Sequence, residues 1–341
     1  MRYLFIDFET YSGTDIKAAG NYKYCEDSTF EILLCGYSFD NESDVHIIDL
    51  SKHGGAEAFE ALFSKVENDP DITIVAHNAT FERVCLKEYG YYIDPMRFMC
   101  TANMALYCGL PPSLDAVSQI LDLKDKKLGT GKNLIRYFSV PCKPTKTNGM
   151  RTRNFPHHDF EAWEEFKEYL KYDVLSEKEI FYKLSRFEFP EMEKKIYAAD
   201  QRINDYGIKA DLQLAEAAQD MDEEYKVRLA NIALEKYGIA SLKSMPQLKS
   251  FIKDRTGIVI DSLNKTSIDD VITQIRGAKG VSDEDKDAVL DVINLRREVG
   301  KTSNAKYTAI LASAGNGDRI RGLFRYYGAN RTGRWAGRLV Q

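Results

Sequence analysis

YLFIDFET, residues 3–10, reads as a buried strand that two acids interrupt. Residues i and i+2 of a strand point to one face, so Asp7 and Glu9 stand side by side. Two bare carboxylates at that separation repel, and in a half-buried place one of them must take a proton. A hard divalent cation such as Mg²⁺ or Mn²⁺ removes the conflict, because an all-oxygen site suits it. Taken alone, D-x-E also fits two acids on an exposed strand edge.

Working outward, FEILLCGYSFD (30–40) and DVHIIDL (44–50) flank the turn signal DNES and predict a hairpin. Phe59, Leu62, Phe63 and Val66 recur at helical spacing over 55–67. ITIVAHN (72–78) predicts an apolar strand, followed by a helix over about 79–89. Three strands, a helix, a strand and another helix predict a mixed-sheet α/β domain. Helices are predicted near 113–123 and 132–139, a Pro-, Gly- and Lys/Arg-rich loop over 141–157, and a long helix over 158–186 with Asp159 as N-cap. From 191 to 312 the pattern is nearly all helical, so a boundary is expected near 187–190.

Of 341 residues, 44% are hydrophobic and 29% charged, which suits two domains with true cores. No apolar run has the length of a membrane span and no signal-peptide pattern opens the chain, so a soluble, cytoplasmic protein is expected. The six cysteines lack a C-x-x-C pair and predict neither a disulfide frame nor a zinc site. A net charge of −5 excludes a global basic footprint. Yet residues 319–341 hold arginines at 319, 321, 325, 331, 334 and 338 and no acid, a local candidate for phosphate contact. Lys124, Lys126, Lys127 and Lys132 form a second basic rim, equally readable as a solvated helix end. No Walker A loop, GxGxxG or G-x-S-x-G motif is present.

Two further segments join the opening acids. In AHNATFERVCL (76–86) a strand ends at Asn78 and Glu82 enters the next helix; in YLKYD (169–173) Tyr169 and Asp173 share a helix face. D-x-E, then N-x-x-F-E, then Y-x-x-x-D resembles the DEDD superfamily of 3′→5′ exonucleases, which have a ribonuclease H-like fold. Position 168 is Glu where the histidine branch has His, and Tyr169 fits the tyrosine branch, typical of proofreading. The resemblance implies two metal ions held by Asp7, Glu9, Glu82 and Asp173, with Asp7 bridging both and Tyr169 orienting the attacking water. It carries over Thr10, Asn78 and Phe81 as substrate-binding residues; Phe81 also suits an ordinary core aromatic. The second motif commonly ends in Asp, and Glu82 departs from it by one methylene. His77, at a strand end, reads as a hydrogen-bonded structural residue, and His157–His158 as exposed.

Residues 295–341 resemble the passage from thumb to palm in family A, DNA polymerase I-like, DNA polymerases of phage type. The residues are Leu295, Arg296, Arg297, Lys301, Ser303 and Lys306, then Arg321, Phe324 and Thr332-Gly333-Arg334. EMEKKIYAADQRINDYGIKAD (191–211) resembles the connection from exonuclease to thumb. The implied domains are 1–187, a ribonuclease H-like exonuclease (mixed sheet flanked by helices); 188–318, a mainly α-helical thumb-like region; and 319–341, the basic start of a palm. Arg331, Arg334 and Arg338 are implied to contact primer–template duplex. The palm carboxylates and finger helix lie beyond the sequence. The expectation is thus an exonuclease without polymerase activity, either a fragment or a subunit completed by a second chain carrying palm and fingers.

The leading expectation is a Mg²⁺- or Mn²⁺-dependent exonuclease on single-stranded DNA 3′ ends, of viral or prophage origin. An RNA-trimming exonuclease keeps the chemistry and changes the substrate. A non-catalytic DNA-binding or polymerase-assembly module with a degenerate metal site is the alternative of another class.

Overall fold

The computed structural model describes residues 2–40, 42–123, 131–264 and 266–340. Two compact units divide the chain, one of residues 1–210 and 312–341, the other of 211–311. The boundary expected near 187–190 therefore falls later. The helix that follows Pro190 buries Tyr197, Asp200, Gln201 and Asn204 in the first unit, and the arginine-rich end returns to the same unit.

The first unit is built on a five-stranded sheet in the order β3-β2-β1-β4-β5. The strands are β1 (Arg2–Tyr11), β2 (Glu31–Phe39), β3 (His46–Asp49), β4 (Ile72–Ala76) and β5 (Phe98–Cys100). β2 runs antiparallel to β1 and β3 to β2, whereas β4 is parallel to β1 and β5 to β4. The sheet is thus mixed, with β1 at its centre. Alternation along β1 explains both faces. Leu4, Ile6 and Phe8 enter one core with Phe59 and Phe63 of α2 (Gly55–Asn68) and Val84 and Cys85 of α3 (Thr80–Glu88). Phe5 and Tyr11 point the other way, toward α7 (Phe160–Leu184). Asp7 and Glu9 lie between them in that alternation.

α7 spans 25 residues, about 37 Å at the usual helical rise. Asp159 caps it by accepting the Ala162 amide at 3.0 Å, as its place in the sequence predicts. Gly36 of β2 stands opposite Asp7 in the register. A Cβ there would come within 3.0 Å of Leu170 and Val174, so glycine lets the helix lie low over the site. Trp163 Nε1 donates to Asp49 at 2.9 Å and Lys178 Nζ to Ser38 at 2.8 Å, tying the helix to β3 and β2.

Around this frame stand α1 (Ile16–Cys25), broken at Gly20, then α4 (Thr101–Tyr107), α5 (Leu114–Ile120), α6 (Gly131–Phe138) and α8 (Glu191–Tyr206). The sequence reading assigned nothing to α1, β5 or α4, which are short and carry weak periodicity. Lys124, Lys126 and Lys127 of the expected basic rim lie outside the described residues, and Lys132 is exposed on α6. Two-residue strands β6 (Ile208–Lys209), β7 (Ala314–Gly315) and β8 (Arg319–Ile320) pair in the order β6-β8-β7. β9 (Phe324–Ala329) and β10 (Arg334–Gly337) form an antiparallel hairpin.

The second unit holds α9 (Leu212–Tyr237), α10 (Met245–Thr256), α11 (Ile268–Gly277) and α12 (Asp283–Val299); α13 (Ala305–Ser313) begins in it. Leu229, Leu248, Ile252, Ile275, Val289, Val292 and Ile293 make a core of its own. α10 opens with Pro246 in its first turn, where no amide donor is required. Among the described residues no helix is long and apolar enough to cross a membrane.

Candidate active site

The acids of the D-x-E strand, the β4-to-α3 junction and the long helix meet on the α7 side of β1. Asp7 is half-buried and its Oδ1 accepts the Phe8 amide at 3.1 Å; Glu9 is 7% exposed and Asp173 is 6% exposed. Glu82, in the first turn of α3, is 3% exposed, and its Oε2 has no hydrogen-bond partner among the described residues. Burial, followed by the nearby Asp7 charge, pushes the Glu82 carboxyl well above the usual range. Those are the two terms expected of crowded, desolvated acids.

Tyr169 is 1% exposed. Its phenol is raised first by burial and then by Asp173, to which it hydrogen-bonds, with Glu9 and Asp7 adding to the effect. The i, i+4 spacing on α7 brings the pair together. A Cβ at Gly131, the first residue of α6, would lie 2.0 Å from the Tyr169 ring, so only glycine admits the ring there.

The sequence reading missed Glu177. It lies one turn beyond Asp173, and 169, 173 and 177 share a helix face, which is the signal that was available. Glu177 is 1% exposed; its Oε2 accepts the His77 amide at 2.8 Å, and Oε1 has no partner among the described residues. Burial, then Asp7 and Glu82, hold its carboxyl well above the usual range. His77 is fully engaged: Nε2 donates to the Pro112 carbonyl at 2.9 Å, which leaves Nδ1 to accept from the Thr101 hydroxyl at 2.9 Å. His158 Nδ1 accepts the Phe155 amide, and His157 is exposed.

A cleft of about 460 Å³ opens beside Glu9. Thr10, Phe81 and Tyr24 line it together with Ile135 and Ser139 of the α6 end. Thr10 Oγ1 and the Tyr24 hydroxyl share a hydrogen bond of 2.8 Å, and Tyr24 packs on Phe81 with ring centroids 6.1 Å apart. Ser139 Oγ is buried without a partner among the described residues. Asn78 does not join this cleft. It is exposed, adopts φ 71° in the turn before α3, and borders a separate cavity. Asparagine tolerates that left-handed backbone better than most residues.

The six terminal arginines divide by environment. Arg319 donates to the carbonyls of Tyr206 and Gly207, and Arg321 to the Asp205 carbonyl and Glu26, so both hold the segment in the first unit. Arg331 and Arg334 are exposed at the β9–β10 turn, and Arg325 and Arg338 border the cavity that Asn78 also lines.

The donor set fits a hard divalent cation in kind: it is all oxygen, with an orphaned buried carboxylate oxygen at Glu82. As the side chains stand, no three His, Cys, Asp or Glu residues among the described ones close on a single ion.

The chain is 43% identical over 342 aligned residues to the DNA polymerase of Bacillus phage SP02. The match takes in all of this chain and 51% of that protein, so the chain spans about half the length of the curated relative. A structural likeness to the polymerase domain of Pol1 from M. smegmatis, in complex with DNA primer-template and dNTP, has a TM-score of 0.48 at 18% identity. It covers 97% of this chain and 50% of that one. No protein-family model matches the chain. The chain is thus related to part of a phage DNA polymerase.

Proposed function

We propose that this chain is a metal-dependent 3′→5′ exonuclease of proofreading type, acting on single-stranded DNA ends. Its ribonuclease H-like domain would lie in the sheet-bearing unit, the thumb-like region in residues 211–311 and the start of a palm in residues 319–341. One observation carries the reading. Asp7, Glu9, Glu82, Asp173 and Tyr169, from three separate elements, influence one another electrostatically beside a cleft of nucleotide dimensions. The mixed sheet with β1 central supports the ribonuclease H-like assignment, and the relative's name supports DNA as substrate.

Two divalent cations, Mg²⁺ or Mn²⁺, held by Asp7, Glu9, Glu82 and Asp173, would activate the attacking water and stabilise the departing 3′-oxygen. Tyr169 keeps its proton at neutral pH, since burial and acidic neighbours raise it further from an ordinary value near ~10. It therefore orients water by hydrogen bonding and does not act as a base. Thr10 and Phe81 hold the sugar and base of the terminal nucleotide in the cleft. Arg331 and Arg334, exposed at the β9–β10 turn, track the backbone of a primer–template duplex.

The non-catalytic DNA-binding reading has one observation in its favour, the absence of three acids closed on one point among the described residues. A 5′-labelled single-stranded DNA and the matching RNA, each with Mg²⁺, Mn²⁺ or EDTA, separate the readings. A ladder shortening from the 3′ end of DNA, stopped by EDTA, is expected. Binding without shortening in either metal would support the binding module.

A further inference from the structure

Away from the carboxylates, the first unit encloses a cavity of about 640 Å³ between α1, α8 and the β9–β10 segment. Its most unusual side chain is Asp200 of α8, only 2% exposed. One oxygen, Oδ2, accepts from Gln201 Nε2 at 3.0 Å and Asn204 Nδ2 at 3.1 Å. The other, Oδ1, is buried with no partner of hydrogen-bond geometry among the described residues, although the nearby Tyr326 amide favours the charged carboxylate. An orphaned carboxylate oxygen costs the fold its desolvation unless something meets it.

The frame around Asp200 is fixed. Gln201 Oε1 accepts a hydrogen bond from Arg83 Nε at 3.1 Å, and Asn204 bridges both backbone groups of Phe324, at 2.9 Å and 3.0 Å. Such a braced acceptor is pre-organised for a ligand donor.

The same cavity is bordered by Arg325 and Arg338. Neither has a carboxylate partner among the described residues, and no ion pair joins Arg338 to Asp200. Desolvation first, then Arg325, lower the Arg338 pKa, and the Asp200 charge offsets part of that. Asp200 offsets part of this repulsion without an ion-pair contact, and two guanidiniums bordering one cavity still favour an anion between them. A lone cation would be repelled there. A lone phosphate would leave the Asp200 acceptor unmet and the volume mostly empty.

We infer that this cavity binds a nucleotide, with its phosphate between Arg325 and Arg338 and an amino group of its base donating to Asp200 Oδ1. The volume lies within the range of small-ligand pockets. A carboxylate reads an exocyclic amine such as cytosine N4 and rejects the carbonyl that thymine carries at the same place. The inference does not depend on the exonuclease reading, because none of the proposed metal-holding acids lines the cavity.

The test is equilibrium dialysis of the full chain carrying Asp7→Ala, in EDTA, against dCMP, dTMP and inorganic phosphate. Saturable binding of one dCMP per chain is expected, with dTMP about tenfold weaker and phosphate weaker again. In the Arg325→Ala/Arg338→Ala double variant, whose changes fall on one half-buried and one exposed side chain, dCMP affinity drops at least about tenfold. Asp200→Asn brings the dCMP and dTMP affinities together. A short dC oligonucleotide distinguishes the source. If it displaces dCMP and also weakens in the double variant, the occupant is a nucleotide within a strand; if it leaves dCMP in place, the occupant is free nucleotide. No saturable dCMP binding, or binding that the arginine pair does not alter, overturns the inference. Asp7→Ala and EDTA remove any nuclease activity, so a failure here leaves the exonuclease proposal standing.

Discussion

At the scale of single residues, Glu177 makes the sharpest prediction. Its folded carboxyl holds a proton to higher pH than an unfolded one, which titrates near ~4.3. The unfolded chain therefore sheds that proton first. Stability is present below the unfolded value and is lost as pH rises toward the folded one. Glu177→Gln keeps an acceptor for the His77 amide and removes the titration. Its melting temperature in EDTA should exceed that of the wild type, by more at pH 8 than at pH 5. An equal difference at both pH values would contradict the assignment. Asp7, Glu9, Glu82, Tyr169 and Asp173 could be singled out as candidates because motif spacing and element type mark them without knowledge of the fold. Glu177 was harder to see, because its importance lies in burial and in the His77 amide above it, neither of which leaves a local signal. Asn78 was grouped with Thr10 and Phe81, but a left-handed turn carries it to a different cavity.

At the scale of elements, the site depends on how low α7 lies over β1 and β2. Gly36→Val adds a branched side chain where even a Cβ meets Leu170 and Val174 at 3.0 Å. It should cost about 1–3 kcal/mol by overpacking. Nuclease activity should fall further than stability explains, because lifting α7 moves Tyr169 and Asp173 away from Asp7. A second prediction concerns α3, which carries Glu82 and is held to α8 by Arg83. The Arg83 guanidinium, 4% exposed, donates to Asp205 at 2.7 Å and 2.9 Å, to Gln201 and to the Tyr22 hydroxyl. Burial opposes the Asp205 charge, yet Arg83 outweighs it and holds the carboxyl below its usual range. Arg83→Ala should destabilise by about 3–5 kcal/mol in chemical denaturation, the range for breaking a buried pair. A change under about 1 kcal/mol would show that the network is slack. The long helix, its Asp159 cap and the hydrophobic strands were legible from periodicity. α1, β5 and α4 were not, because seven- to ten-residue helices and a three-residue strand are defined by tertiary packing more than by pattern.

At the scale of the whole molecule, the sequence change after Pro190 is real in composition but does not mark the edge of a compact unit. α8 is helical like the residues after it, and its buried polar face belongs to the sheet-bearing unit. Residues 211–311 have a separate apolar core from Leu229 to Leu295. Expressed alone, they should give a helical circular dichroism spectrum and one cooperative thermal transition; a gradual loss of signal would show that their core is insufficient. The decisive experiment remains chemical. Wild type, Asp7→Ala and Asp173→Ala, each shown to be folded, are incubated with 5′-labelled single-stranded DNA and Mn²⁺, and the products are resolved over time. Stepwise shortening from the 3′ end by the wild type, slower by several orders of magnitude in both variants, is the predicted result. Equal shortening by all three, or none by the wild type, would contradict a nuclease built on these carboxylates.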